Sequence, residues 1–409
     1  MAITDKEQGV WNVDQVYNKI NEGDIWAYTG ETGLWSVGSG SNGISAQNDT
    51  VNRSSPIQIP GTTWSTELGK IAVTPYNNRY HAGAIKTDGT LWMWGNNNDG
   101  TLGLNDKTQR SSPIQLPGTW STVSASYESF LGQKTDGTLW TWGFNDSGSA
   151  LGHNQSGYPA SVSSPKQVGS DTTWAPGGVM AKENGMVAKT DGSLWTWGKN
   201  SYGILGINVA YSPSNKGRSS PVQIPGTTWN SGAGKIAMVE YGNIASVIKT
   251  DGTLWAWGSN QNGALGQNNT TPHSSPVQIG ADTTWTNIMH NGDGMFFATK
   301  TDNTLWGWGN NHADWKLLGL GDAVSQSSPT QIGTGTDWNR PNSVGYQCNV
   351  ISKTDGTLWA TGSPQRNVIG LNGTGSANPA NNGSPIQCGG DDWIESKGSL
   401  YYMIGTQTK

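Results

Sequence analysis

The sequence predicts an all-β fold, a seven-bladed β-propeller preceded by a short N-terminal arm, and three observations carry that prediction. The string KTDGTLWMWG at Lys86–Gly95 returns from Lys134, Lys189, Lys249, Lys300 and Lys353, with a worn copy ending at Gly38. The Trp after its Leu therefore occurs seven times, as Trp35, Trp92, Trp140, Trp195, Trp255, Trp306 and Trp359, at spacings of 48 to 60 residues. Composition agrees, because 58 Gly, 18 Pro and 22 Trp beside 4 Phe leave little material for long amphipathic helices. Within each copy the side chains alternate with a period of two and are broken by Asp-Gly, a hairpin signal. About four short strands per ~50 residues is the arithmetic of a propeller blade.

The elements follow in chain order. Residues 1–22 stand outside the repeats as an arm, in which Val13, Val16, Tyr17 and Ile20 fall at helical spacing. Asn12 or Asp14 can cap that helix, and Gly23 follows its last periodic residue. So short a helix is marginal alone, and the arm is expected to dock on a partner through Trp11, Val13, Val16, Tyr17 and Ile20, or to pack on its own propeller. Residues 23–409 are expected to form the propeller.

In each blade, Leu91-Trp92-Met93-Trp94 and its counterparts read as a strand apolar on both faces, sandwiched between neighbouring sheets. A Ser-Pro-x-Gln element follows, as at Ser112–Gln115, and Pro suits an outer strand whose missing N–H faces solvent. A third Trp (Trp64, Trp120, Trp174, Trp229, Trp285, Trp338, Trp393) opens the next blade. These places hold 19 of the 22 Trp, whose period assigns them to an inter-blade core. The final segment, Leu400–Thr406, sits where other copies place the strand before KTDG. It is expected to pair with Leu34-Trp35 and close the ring, with Ile25–Tyr28 competing for that place.

The repeated DGTLWxWG, followed by NxxGxLG and SSPxQ, resembles the RCC1 repeat, whose founding members fold as seven-bladed propellers. Departures are local: the first copy lacks Lys-Thr-Asp, the sixth has Asn303 for Gly, and the seventh has Thr361 for the second Trp. The arm, with GVW…VYNKI…GDIW, resembles the openings of structural proteins of marine tailed bacteriophages.

Chemistry is sparse. Gly38–Gly43 matches GxGxxG literally but opens no helix, so it is read as a loop. No GxxxxGK[ST], GxSxG, HExxH or EF-hand loop is present, and the five His fall in separate units. No catalytic residue, cofactor or metal is therefore predicted. A net charge of −5 without a basic block argues against nucleic-acid binding. No run approaches a membrane span, and MAITDKEQGV has no apolar core of a signal peptide. Cys348 and Cys388 read as small idle thiols, their pairing left open. The Asp of the KTD turns is expected to bond its own turn backbone, and the neighbouring Lys to form a charged rim or to pair across the turn.

Strand alternation sorts the loops onto two ends. The TDG and PGTT turns share one end and are uniform. The connections from WG to SSP share the other and run from 15 to 20 residues. Variable loops on a rigid scaffold are where binding usually resides, so Phe144, Tyr158, Tyr202, Tyr211 and Trp315 are the candidate ligand-face residues.

Together the two resemblances lead to the expectation of a non-enzymatic virion surface or appendage protein, a tail fibre, spike or capsid decoration, assembled in the host cytoplasm. The arm would hold other virion proteins or further copies of itself, and the propeller would meet a host glycan or protein. The alternative is a free-standing lectin-like or protein-binding propeller. A GTPase regulator, the role the founding RCC1 proteins imply, comes last.

Overall fold

A computed structural model describes residues 33–407 apart from 75–79, 146–149, 155–160, 210–216, 240–242, 292–293, 312–315, 343–347, 363–383, 388–392 and 399–401. Those residues form seven four-stranded antiparallel sheets. Blade 2 is typical and runs outward from the axis as Ile71–Val73, His81–Ile85, Leu91–Gly95 and Arg110–Leu116. Innermost strands touch from blade to blade around the whole circle.

Blade 1 closes the ring. The chain-terminal strand Tyr402–Gln407 lies between Trp393–Gly398 and Gly33–Gly38, with Arg53–Gln58 outermost. Leu34 pairs with Thr406 and Trp35 with Gly405, as expected. Joining both ends of the chain in one sheet removes an open edge. The competing segment Ile25–Tyr28 lies outside the described residues.

Turn chemistry explains the tight end. Asp88 Oδ1 accepts the Thr90 amide at 2.9 Å and its hydroxyl at 2.7 Å, and Asp136, Asp191, Asp251, Asp302 and Asp355 repeat the pattern. The Thr90 hydroxyl first, then its amide, hold the Asp88 carboxyl below its ordinary range. The expected Asp-capped turn is present in all six. Asn303 replaces the turn Gly without cost to the geometry because it takes the left-handed conformation, φ 59°, which Asn tolerates.

The tryptophans divide into three roles, which corrects the reading of all of them as inter-blade core. Trp94, Trp142, Trp197, Trp257 and Trp308 are fully buried, and Trp64, Trp120, Trp174, Trp229, Trp285 and Trp338 nearly so. The first Trp of each motif, such as Trp92 or Trp255, is only half-buried. In the six KTD copies its indole N–H donates to a turn hydroxyl, Thr253 for Trp255 at 2.9 Å. Each motif Lys lays its ammonium over that ring and over the third Trp, at 3.7 to 5.2 Å from the centroids. The carboxylate partners of Lys189, Lys300 and Lys353 are Asp171, Asp282 and Asp337 of the inter-blade turns, not the Asp of their own TDG turns. The hydrogen bond from Lys189, ahead of that from the Thr173 hydroxyl, draws the Asp171 carboxyl down to about 2. The lysines are thus stacked into the fold rather than displayed as a charged rim.

Candidate functional site

The variable-loop end is built on pins that the repeat supplies. After WG, the Asn of NxxGxLG is buried and ties the loop to itself. Asn260 Oδ1 accepts from Leu265 N at 2.8 Å while its Nδ2 donates to the carbonyls of Asn269 and Thr271. Asn97, Asn200 and Asn311 do the same.

Five of the loops then clasp the next blade. Asn48, Asn105, Asn154, Asn208 and Asn268 are left-handed, and their amides donate to Ser111, Ser163, Ser219, Ser274 and Ser327 at 2.6 to 2.9 Å. Those acceptors open the SSPxQ strands, so the motif that reads as an outer strand is also an inter-blade joint. The buried second Trp adds a further tie. Trp94, Trp142, Trp197, Trp257 and Trp308 donate to Ile44, Thr101, Ala150, Ile204 and Ala264 of the preceding loop at 2.7 to 3.0 Å.

Above these joints the tips project. Of the four exposed large apolar residues among the described ones, Val51 (57%), Tyr202 (53%) and Val324 (60%) lie on the variable loops, while Ile114 lies on an outer strand. Tyr202 holds φ 53°, in the slot that Asn42 (φ 55°) and Asn262 (φ 57°) occupy in blades 1 and 5. A bulky left-handed residue is costly, and at this exposure Tyr202 recovers little of that cost by burial. Phe144 reaches the same end of the ring but is half-buried. Tyr158, Tyr211 and Trp315, with the arm residues Trp11, Val13, Val16, Tyr17 and Ile20, lie outside the described residues. Val51 and Val324 escaped the sequence analysis because an isolated loop Val carries no signal until its exposure is known.

One loop residue is acid-sensitive. His153 follows Leu-Gly in blade 3, where blades 1 and 5 have Gln47 and Gln267 bonded to the outer strand at Gln58 O and Gln278 O. His153 Nε2 lies 2.9 Å from Thr141 Oγ1 and 3.3 Å from Lys166 O. Burial, with Lys166 nearby, pushes its pKa down to about 4. The unfolded chain protonates first, near 6.5, so this stabilisation is complete above that pH and is lost as pH falls from 6.5 to 4. We expect His153→Gln to abolish that part of the acid loss, at most about 3 kcal/mol. Melting temperatures of both proteins between pH 7.5 and 4.5 check it, and parallel curves would refute it.

Among the described residues no group of three or more His, Cys, Asp or Glu is placed to hold a metal. No described helix is long and apolar enough to cross a membrane. Cys348 opens the strand Cys348–Lys353, and Cys388 lies outside the described residues.

Fold and loop geometry define a class: a seven-bladed β-propeller with one uniform end and one end of clasped, variable loops. The family model for the regulator of chromosome condensation (RCC1) repeat matches residues 88–128, 191–248 and 251–289. The chain is 24% identical over 339 residues to the mitochondrial RCC1 domain-containing protein RUG3 of Arabidopsis thaliana, covering 79% of this chain and 70% of that one. It is 27% identical over 144 residues to the ultraviolet-B receptor UVR8 of the same plant, 35% of this chain and only 30% of the receptor's length. The crystal structure of Prp20p from Saccharomyces cerevisiae, described with its binding to Gsp1p and histones, superposes with a TM-score of 0.73 at 15% identity, over 93% of this chain and 92% of that one.

Proposed function

We propose that the protein is a non-catalytic, protein-binding propeller that engages a macromolecular partner with its variable-loop end. The observation that carries this is the placement of Val51, Tyr202 and Val324, exposed on loops tied to the neighbouring blade, the first two through Asn48 and Asn208 and the third through the Leu317 carbonyl. Exposed apolar tips on a rigid frame bind without first having to order themselves, and Tyr is a frequent interface anchor. Among the described residues, the opposite end offers no such tips beside its Asp-capped turns and stacked lysines. Prp20p, described as binding Gsp1p and histones, supports the reading only as a propeller of this shape that takes protein partners. A virion location and arm-mediated assembly belong to residues 1–22, outside the described residues, and the protein-binding reading does not depend on them.

The test is quantitative capture from cells of the source by the immobilised full-length protein, comparing wild type with Tyr202→Asn, Val324→Asp and Ile114→Ser. Tyr202→Asn installs the residue type of Asn42 and Asn262, so the fold should keep its stability or gain about 0.5–1 kcal/mol. The two loop variants are expected to lose the same protein at least tenfold while the outer-strand variant retains it. A captured set indifferent to all three, or lost equally with Ile114→Ser, would overturn the reading.

A further inference from the structure

Two blades depart from the others at the axis. The third Trp reaches the first equivalent inner position in three residues in blades 3, 6 and 7, from Trp120 to Val123, Trp285 to Ile288 and Trp338 to Pro341. In blades 2 and 5 it takes seven, from Trp64 to Ile71 and from Trp229 to Ile236, because Glu67–Lys70 and Gly232–Lys235 are inserted.

The two insertions meet over the axis. A Cβ on Gly69 would lie 3.3 Å from Ala233 Cβ, and one on Gly234 would lie 3.9 Å from Leu68 Cδ1. Each is fastened to the blade after it: Val123 N donates to Gly69 O and Ile288 N to Gly234 O, both at 2.9 Å. Lys235 Nζ also donates to Thr286 O. The axial channel is therefore closed at the end of the TDG turns.

Above this floor lies a cavity of about 200 Å³, walled chiefly by Ile71, Val73, Val123, Met180, Met238 and Met289, with Ser124, His290 and Arg340 also in its lining. The polar side chains at floor level are already engaged. Thr122 Oγ1 donates to Gln133 Oε1 at 2.6 Å, and Asn287 Nδ2 donates to Thr299 Oγ1 at 3.2 Å. An apolar cavity of about 150 Å³ stays dry and takes up benzene, whereas a charged ligand would give up its hydration to a wall whose ionisable side chains, His290 and Arg340, already have partners of their own. Three Met side chains let the wall adjust to the shape of what enters.

We propose that this blind axial cavity binds a compact, uncharged, apolar ligand about the size of one aromatic ring. The site is independent of protein binding by the loop tips.

The test uses the full-length protein with toluene and indole as probes, and glucose and inorganic phosphate as polar comparisons. Binding is read by saturation-transfer NMR and by thermal shift. Ala125 and Val179 line the cavity and are half-buried, so Ala125→Phe and Val179→Phe fill it. Wild type should bind toluene or indole with millimolar affinity or better and bind neither polar probe. Each filled variant that folds should weaken binding at least tenfold, while Ile114→Ser on an outer strand binds as wild type does. Two filling positions are used so that failure of one to fold leaves the other to decide. Absence of apolar-probe binding to wild type, preference for a polar probe, or equal binding by wild type and a folded filled variant would each overturn the proposal.

Discussion

Trp257→Ala is expected to destabilise the propeller by about 3–5 kcal/mol, the range for removing a large buried aromatic. Trp255→Ala, two residues away, should cost only about 1–2 kcal/mol. Both residues lie in the strand Leu254–Gly258, so strand propensity does not separate them. Their surroundings do. Trp257 is fully buried in a cluster with Ile204, Ile224, Met238 and Trp229, and its indole donates to Ile204 O at 2.7 Å. Truncating it opens a cavity between blades 4 and 5 and strips the Ile204 carbonyl of its donor, and both effects are expensive in a packed interior. Trp255 is half-buried and loses mainly the Lys249 ammonium stacked 4.4 Å from its centroid and a turn hydrogen bond from its own N–H. Denaturant midpoints for the two variants decide the matter. Equal losses would mean that the two tryptophans share one role.

Blade 7 shows what the buried Trp position requires. Thr361 stands there, and its hydroxyl donates to Leu317 O at 2.6 Å. Asn349, across the ladder from Thr361, donates to the same carbonyl at 3.3 Å. In the other blades the cross-strand neighbour is apolar or absent: Ala82, Phe130, Gly185, Ala245 and Phe296. The tie to the preceding loop thus survives loss of the indole, with two short polar side chains in its place. The sequence flagged Thr361 as a departure, but the compensating Asn349 is visible only once the register is known.

What could be read in advance was local. Alternation in LWxWG, Asp-Gly turns and Ser-Pro edges are properties of neighbouring residues, and they located the blades and the closing strand Tyr402–Gln407. What could not be read depends on how blades meet. The three Trp of a repeat look alike as sequence, and only packing makes Trp92 half-exposed while Trp94 is buried. Lys300 sits beside Asp302 in the chain but pairs with Asp282, 18 residues earlier, because the inter-blade turn folds over the Trp stack. At the loop end, Tyr202 was legible as an aromatic tip. Its left-handed strain follows from aligning it with Asn42 and Asn262, whereas the half-burial of Phe144 has no such cue.

Gly263→Ala tests the clasp that holds the variable loops in place. Gly263 has φ 74°, which costs an L-residue about 1–2 kcal/mol. An added Cβ would also lie 2.3 Å from Ser327 Cα and 2.4 Å from Ser327 Cβ in the next blade. A backbone atom cannot rotate away, so the blade 5 loop must lift from the blade 6 outer strand and weaken the bond from Asn268 N to Ser327 O, 2.7 Å. The expected loss is about 2–4 kcal/mol. Gly280→Ala isolates the conformational part: φ there is 61° and nothing lies within 4 Å of the added carbon, so about 1–2 kcal/mol should be lost. If the two variants lose the same stability, the close approach to Ser327 does not matter and the clasp is not a joint. If Gly263→Ala loses more, partner binding should fall with it under conditions where it stays folded. Tips such as Tyr202 are useful for recognition only while the loops beneath them are held at a fixed spacing by the neighbouring blade.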